Sequence, residues 1–344
     1  WDCENTDIHQ VENKLHAIHD ERAGCAGHCD SSPWQSGDSL NPLDWNAGHA
    51  LGHSLYNRLL SVHWSSNSER WNHYFDRSEE AISNIFPYHQ VWSFFRNQNA
   101  DNREIKDPTV NYKDAFAVIQ SGFSQLHDEQ GPIFFDSSCN IIKNIKGQRP
   151  SSISEAIWES NGTYWAMDQR MAFYLQIPML LEGQQLSDGQ TLVSGFDIFS
   201  LLFLQARQFQ YHANIERSWE QNKHSLGFGA FPHFGEEVYT GRSVKSMPGN
   251  DFLLVALSYI TGLDFRPYFE QFGVVTSLLA QNQVQQHQKS GHIRGSFSTV
   301  NNGVKMAVLN TELPPKTLSS LPTVTLDGHS GWPKDGWHPS NCLN

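Results

Sequence analysis

Two histidines one helical turn apart are the residues best placed to do chemistry in this sequence. His49 and His53 stand in the run His49-Ala-Leu-Gly-His53, and residues four apart in a helix share a face. Two imidazoles on one face can bind a single zinc ion, and His-x-x-x-His is the spacing found in zinc peptidases. The chain has 17 histidines, so the spacing also arises by chance and a third ligand is needed to predict a site.

An acidic pair further along the chain offers that ligand. Glu79 and Glu80 follow Ser78, whose hydroxyl can cap a helix and so places both acids in its first turn. Asn84 comes one turn after Glu80 and adds a second polar residue to the same face. Acids in a first turn are also common on ordinary surfaces, and Glu79 is the rival ligand. The residue types alone leave this choice open.

Position 50 is where the His-Glu-x-x-His motif of zinc peptidases carries its general base. That glutamate takes a proton from the attacking water and passes it to the leaving amine. Here the position holds Ala50, which has no group for proton transfer. We therefore expect the chain to bind zinc but to cleave peptides slowly or not at all, because general acid–base steps contribute about 10²–10⁴-fold.

Helices are expected to position these residues, since their apolar neighbours recur with helical spacing. A helix over 47–62 would carry both histidines, with Leu51, Leu55 and Leu59 on its buried stripe. A second helix from Ser78 would carry Glu80 and would kink or end at Pro87. The same pattern predicts further helices over 112–126, 163–181, 196–212, 250–261 and 266–287.

These elements predict an α+β fold. Residues 1 to about 46 indicate a small β-rich N-terminal part, residues 47–295 a large helical lobe with the metal site, and residues 296–344 an extended tail. Strands are expected in the tail at 304–309 and 323–326. The chain begins at Trp1 without an initiator Met or a signal peptide, so we expect further domains upstream.

Charge and hydropathy narrow the range of partners. The net charge is −12 and no basic stripe is present, which argues against nucleic acid. No apolar run reaches the length of about 18 residues that would span a membrane. We expect the protein to be a monomer. Of the five cysteines, Cys25 and Cys29 could close a small disulfide loop in a secreted protein. The odd count leaves one thiol free or paired with a missing segment.

Three short motifs in order carry a family resemblance. They are Asn41-Pro42, His49-Ala-Leu-Gly-His53 and Glu80-x-x-x-Asn84-Ile85-Phe86. Together they resemble the enhancin-type zinc metallopeptidases, above all the bacterial immunomodulating metalloprotease branch, which cleaves O-glycosylated proteins such as mucins. The pattern of that family matches except at Ala50, and the resemblance extends over roughly residues 7–290.

The resemblance implies a zincin-like catalytic domain in which His49, His53 and Glu80 bind Zn²⁺. It also implies an O-glycosylated protein or glycopeptide as partner, and a secreted or cell-surface location in a bacterium. In this family a tryptophan shortly before the metal helix contacts the glycan. Trp34 and Trp45 could fill that role, and Trp34 is favoured because it precedes Asn41-Pro42. Packing in the core or a loop is the alternative for both.

Ala50 has two possible origins. An engineered inactivation would remove the general base and leave the ligands intact, whereas a natural pseudoenzyme would only bind glycoprotein. We favour engineering, because a chain under no catalytic demand would often lose metal ligands as well. A glycosidase is a third hypothesis, but its paired carboxylates would be unspecific choices among Glu155, Glu159, Glu236 and Glu237.

Other polar residues carry weaker signals. Asp197 begins a long apolar segment and could either orient a ligand histidine or cap its helix. His287 and His292 lie in a Gln-rich stretch and are expected to be exposed. The residues that could stabilise an oxyanion are Tyr88, His89 and Tyr239.

Overall fold

The structure is a computed structural model. It describes residues 52, 57–62, 77–86, 89, 118, 121, 126–136, 138–144, 146–159, 167–235, 243–297 and 342–343.

Helices dominate this part of the chain, and its strands are short. The helices are α1 (Arg77–Ser83), α2 (Ile153–Trp158), α3 (Met167–Leu181), α4 (Asp197–Ala213), α5 (Glu216–Asn222), α6 (Gly249–Thr261), α7 (Arg266–Gln271) and α8 (Leu278–Lys289). The strands are β1 (His127–Asp128), antiparallel to β2 (Gly131–Pro132), and β3 (Leu263–Asp264), parallel to β4 (Gly295–Ser296). This mixture of helices with few strands agrees with the predicted α+β class. The predicted β-rich part, residues 1–46, lies outside the described residues.

The core is built on α3. Phe173 of this helix is fully buried, and its ring centroid lies within 5.8 Å of five aromatic rings from α2, α3, α7 and the residue after α7. The Trp158 indole donates to the Phe272 carbonyl at 2.8 Å, and the Tyr268 hydroxyl donates to the Phe173 carbonyl at 2.5 Å. The aromatic rings are therefore buried without leaving their indole N–H and hydroxyl groups unpaired, which would cost stability.

A second aromatic cluster joins α4, α5 and α6. The ring of Phe209 lies 5.1 Å from Trp219, 4.9 Å from Phe228 and 5.4 Å from Phe252. The Trp219 indole donates to the Phe231 carbonyl at 2.8 Å. Since Phe209, Trp219 and Phe252 come from three helices, the cluster fixes α4 and α6 against each other.

Three predicted helices are found close to their expected bounds. The prediction of 196–212 corresponds to α4 and that of 250–261 to α6, while 163–181 corresponds to α3, which ends at Leu181. Helix α6 stops at Gly262, whose φ of 68° is the left-handed conformation that glycine adopts readily. The structure describes three residues of the predicted helix 112–126. Val118 and Ser121 are helical, and Leu126 is not.

The predicted single helix over 266–287 is wrong. The structure has two helices there, α7 and α8, separated by a turn at Gly273 with φ of 63°. The Val274 amide donates back to the Phe269 carbonyl at 2.8 Å, which ends α7. Ser277 then starts α8, because its hydroxyl accepts from the Ala280 amide at 3.1 Å.

The predicted helix over 47–62 is also interrupted. Asn57 is extended, with φ −130° and ψ 121°, and its side chain accepts from the Leu59 amide at 3.0 Å. This cap starts a separate 3-10 turn, Arg58–Leu60. The asparagine side chain competes with the helical backbone for this amide, so the helix cannot run through to Val62.

A disulfide links Cys139 to Cys342 across 203 residues, with a Cα–Cα distance of 5.1 Å. No sequence pattern indicates this pair, since neither cysteine lies near another in the chain. It secures the described end of the tail to the loop before α2. The predicted pair Cys25–Cys29 and the predicted strands at 304–309 and 323–326 lie outside the described residues.

Among the described residues, none of the helices combines the length and the apolar composition that a membrane span needs.

Candidate metal centre

The structure describes the predicted metal centre only in part. Glu80 lies in α1, three residues before that helix ends at Ser83. The other predicted site residues lie outside the described set; they are His49, Ala50, His53, Trp34 and Trp45. Within the described residues no three His, Cys, Asp or Glu side chains are grouped to hold a metal.

A close backbone contact joins Gly52 to α1. Gly52, the residue before His53, is helical and buried. A Cβ atom added at Gly52 would overlap the Ser83 carbonyl oxygen and lie 2.7 Å from the Ser83 Cα. Only glycine permits so close an approach. The residue adjoining one predicted ligand therefore touches the helix that carries another, Glu80.

Helix α1 and the residues that follow it are held in place by burial. Ala81, Ile82 and Ile85 are buried, and α1 packs against α3. Phe86 is half-buried, with its ring 5.6 Å from that of Phe203 in α4. Asn84 is fully buried. The segment after Glu80 is thus a packing element that fixes the position of α1 relative to α3 and α4.

The 3-10 turn that follows the histidine segment is fixed by two further contacts. The Tyr174 hydroxyl of α3 accepts from the Val62 amide at 3.0 Å and donates to the Leu60 carbonyl at 3.0 Å. Gly249, the first residue of α6, lies so close to Ser61 that an added Cβ would overlap the Ser61 carbonyl oxygen. The chain is therefore anchored on both sides of position 53, at Gly52 and at residues 60–62.

Replacing Tyr174 by Phe should lower the free energy of unfolding by about 1–3 kcal/mol, the cost of leaving buried polar groups unpaired. The Leu60 carbonyl and the Val62 amide both lose their partner, and both residues are buried. Urea denaturation would measure the change. Tyr211→Phe is the control, because Tyr211 is 72% exposed and its change should be close to neutral. Equal midpoints for the two variants would contradict this role of Tyr174.

His89 is the one oxyanion candidate that falls within the described residues; Tyr88 and Tyr239 lie outside them. Its ring stacks on Phe196 at 4.9 Å. Burial lowers the pKa of His89, and the nearby Asp197 carboxylate acts against that shift. Both residues line a cavity of about 70 Å³ between α1 and α4. That cavity is lined by Ile82 of α1 and by Ile85, which follows α1. Gly52 and Ser83, which contact each other, are not among its described lining residues.

Asp197 begins α4 as expected and is exposed in its first turn, where the helix dipole favours an acid. Glu155, one of the carboxylates considered for a glycosidase, holds the loop before α2 through local hydrogen bonds. Its carboxylate accepts from the Ser151 amide at 2.8 Å and from the Asn144 side chain at 2.6 Å. Glu236 and Glu237 lie outside the described residues.

The prediction that His287 and His292 are exposed is wrong. His287 is 9% exposed, and its Nε2 donates to the Gly227 carbonyl at 2.8 Å. His292 is half-buried, stacks on Tyr259 at 4.5 Å and donates to the Tyr259 carbonyl at 2.7 Å. The reason is helical periodicity within the Gln-rich stretch. The buried residues of α8, at spacings of three and four, are Ala280, Gln283, Val284 and His287.

The protein should lose stability as the pH falls below about 6.5, the ordinary pKa of histidine. Burial lowers the pKa of His287 and the neighbouring His292 lowers it further, while the hydrogen bond to Gly227 opposes them. The unfolded chain therefore takes up this proton first, and stability falls between pH 6.5 and the lower folded pKa. Denaturation midpoints at pH 7.5 and 5.5 would show this. His287→Gln should reduce the difference, and an unchanged difference would contradict the assignment.

Comparisons with known proteins place this geometry in context. No model of a known protein family matches the chain. Over 287 residues the sequence is 32% identical to the immunomodulating metalloprotease of Pseudomonas aeruginosa. The chain is homologous to that metalloprotease. The match covers 83% of the chain but 26% of the relative, so the chain spans about a quarter of the length of the curated protein.

Solved structures of similar sequence point to the same relative. The IMPa metallopeptidase from Pseudomonas aeruginosa is 30% identical, with 72% of this chain and 23% of that chain covered and a TM-score of 0.49. Its complex with an O-glycopeptide has the same identity and TM-score and covers 76% of this chain and 24% of that one. A third structure is the IMPa metallopeptidase in complex with T-antigen.

Proposed function

We propose that the chain is the zinc-binding catalytic part of an endopeptidase that cleaves O-glycosylated, mucin-like proteins, with its general base absent at Ala50. The observation that carries the proposal is the backbone contact between Gly52 and Ser83. It brings Gly52, the residue before His53, against the helix of Glu80. Three ligands on these two segments could bind one metal only if the segments lie this close together.

The residues on the two segments fit zinc. Two imidazole nitrogens and a carboxylate oxygen form a known catalytic donor set that leaves a position open for substrate or water. Glu80 precedes Ser83 by three residues, and positions three apart in a helix share a face. Bound zinc would polarise the scissile carbonyl and activate water for attack. His49, His53 and Glu80 would hold the ion, and Ala50 leaves the proton without an acceptor.

Homology supports the substrate class. The Pseudomonas relative is a metalloprotease, and solved structures of it hold an O-glycopeptide and T-antigen. We extend this to the present chain as a proposal, with Trp34 or Trp45 contacting the glycan beside the metal. We also propose that the protein is monomeric and is secreted or at the cell surface. The Cys139–Cys342 disulfide supports the location, since such bonds persist in oxidising compartments.

Calorimetry with matched peptides tests the proposal on the chain as it stands. Because Ala50 prevents turnover, an O-glycosylated peptide and its unglycosylated counterpart can both be titrated intact. We expect binding of the glycopeptide alone, weakened when a chelator removes the metal. Equal binding of the two peptides would overturn the substrate class, and the absence of any metal to remove would overturn the zinc site.

Ala50 itself favours a second candidate, a glycoprotein-binding module that shares the ancestry of the peptidase but does no chemistry. That module would bind the glycopeptide equally well after metal removal. It would also gain no activity when the glutamate is restored. The two candidates therefore differ in two independent readouts.

A further inference from the structure

A groove of about 660 Å³ runs along one side of α4. We call it the α4 groove. Its volume falls in the range typical of ligand clefts. The residues that α4 contributes recur at helical spacing and form a single stripe: Asp197, Ser200, Leu201, Leu204, Gln205 and Gln208.

The wall facing α4 is a short hairpin, residues 184–192, and it is built rigidly. The Leu186 amide donates to the Gln190 carbonyl at 2.7 Å, and the Leu192 amide donates to the Gln184 carbonyl at 2.9 Å. The Arg294 side chain donates to the Leu186 carbonyl at 2.6 Å. The groove is therefore preformed, and a ligand need not order it on binding.

The hairpin is also attached to α6, whose end closes the groove. The Ser187 amide donates to the Ile260 carbonyl at 3.0 Å. Tyr259, Ile260 and His292 line this side. The stacking of His292 on Tyr259 fixes both rings. All three walls are thus held by hydrogen bonds or ring contacts that do not depend on a ligand.

The lining suits a neutral, hydroxyl-rich ligand. Asp188, Gln190, Asp197 and Gln208 are exposed in the groove and supply carboxylate and amide groups that can accept from and donate to hydroxyls. Val193 and Leu204 are 76% and 55% exposed and offer apolar surface beside them. Among the described residues that line the groove there is no lysine or arginine. Two carboxylates without a cation disfavour phosphates and other anions.

None of the described residues that line the α4 groove belongs to α1, the helix of Glu80, and Gly52 is not among them. The groove meets the small cavity between α1 and α4 at Asp197 and Ser200, which line both. That cavity is lined by Ile82 of α1 and by Ile85, which follows α1, whereas Gly52 contacts α1 at Ser83. Among the described residues, the groove therefore shares no lining residue with α1 or with the Gly52 contact.

We propose that the α4 groove is a second saccharide site, which binds a neutral glycan of the substrate glycoprotein away from the bond to be cleaved. The substrate class rests on the proposed function, whereas the chemistry of the ligand rests on the groove. Two sites on one densely glycosylated chain would raise apparent affinity through effective concentration, with no new contact at the metal.

The test counts bound T-antigen disaccharide by equilibrium dialysis on the chain as it stands. We expect two sites per chain. One is the proposed glycan contact beside the metal centre, which we call the metal cleft, and the other is the α4 groove. Ser200→Trp would fill the groove where it meets the smaller cavity and should leave one site. Leu278→Trp adds the same bulk at a position that is 77% exposed and outside the groove, and it should keep both sites.

The outcomes separate the two proposals. One site in the original chain and none in Ser200→Trp would retain the groove and reject glycan binding in the metal cleft. The same number of sites in Ser200→Trp and in the original chain would overturn the groove proposal. Binding of an unglycosylated Ser/Thr-rich peptide that Ser200→Trp abolishes would overturn it as well, because the groove would then be a peptide site.

Discussion

Replacing Ala50 by Glu should raise the rate of O-glycopeptide cleavage by about 10²–10⁴-fold, the usual contribution of a general acid–base group. The substitution restores an acceptor for the proton of the attacking water and a donor to the leaving amine. It changes neither His49, His53 nor Glu80, so the metal ligands stay the same. Mass spectrometry of a synthetic glycopeptide with one glycosylated residue would measure the rate.

Ala50→Gln is the matched control for this experiment. Glutamine has nearly the size of glutamate but cannot take up a proton at neutral pH, so this variant should stay inactive. An unglycosylated peptide of the same sequence should also stay intact with Ala50→Glu. Bound zinc together with no cleavage of any O-glycoprotein would reject the peptidase and favour the binding module.

Replacing Gly52 by Ala should weaken zinc binding by about 10–100-fold, the loss typical when residues that orient metal ligands are changed. The added Cβ would lie 2.7 Å from the Ser83 Cα, which is about 1 Å closer than ordinary contact. The helices must separate by roughly that amount, whereas ligand distances in metal sites hold to about 0.2 Å. Zinc affinity measured by competition with a chelator would show the loss.

The direction in which Gly52→Ala changes protein stability also distinguishes a steric conflict from a helix-propensity effect. Inside a helix, glycine is normally about 1 kcal/mol less favourable than alanine, so a substitution without steric conflict would stabilise the protein. Gly235→Ala is the control, because the nearest atom to an added Cβ there is 3.6 Å away. Zinc affinity that is unchanged in Gly52→Ala would contradict the close contact on which the proposed function depends.

Periodicity alone predicted the helices whose sequences bury a continuous stripe. Helices α4 and α6 follow the predicted bounds within one residue at each end. Both pack through large aromatic or aliphatic side chains at helical spacing, such as Phe209 and Phe252. Where burial and backbone preference agree in this way, sequence pattern is sufficient.

Other features depended on contacts that no sequence window contains. The break between α7 and α8 needs Gly273 in a left-handed conformation, which a lone glycine in a helical pattern does not reveal. Cys139 and Cys342 are far apart in sequence, so only the fold pairs them. His287 is buried because α8 packs on α6 and the Gly227 turn, although its neighbours in sequence are polar.

The candidate metal site was predicted from motif spacing, and the structure adds the reason for one motif residue. The small residue before His53 could be noted from the sequence, but its partner could not. Gly52 lies against Ser83, so the requirement for glycine comes from contact between two backbones. The α4 groove had no sequence signal, since its lining comes from two helices, a hairpin and His292.

Zinc content per chain tests the central claim most directly. Plasma mass spectrometry should find about one zinc in the chain as it stands and in Glu79→Ala, and almost none in Glu80→Ala. The two glutamates are neighbours in α1, so the pair controls for charge and for helix stability. Equal zinc in both variants, or no zinc in the original chain, would contradict a centre formed by His49, His53 and Glu80.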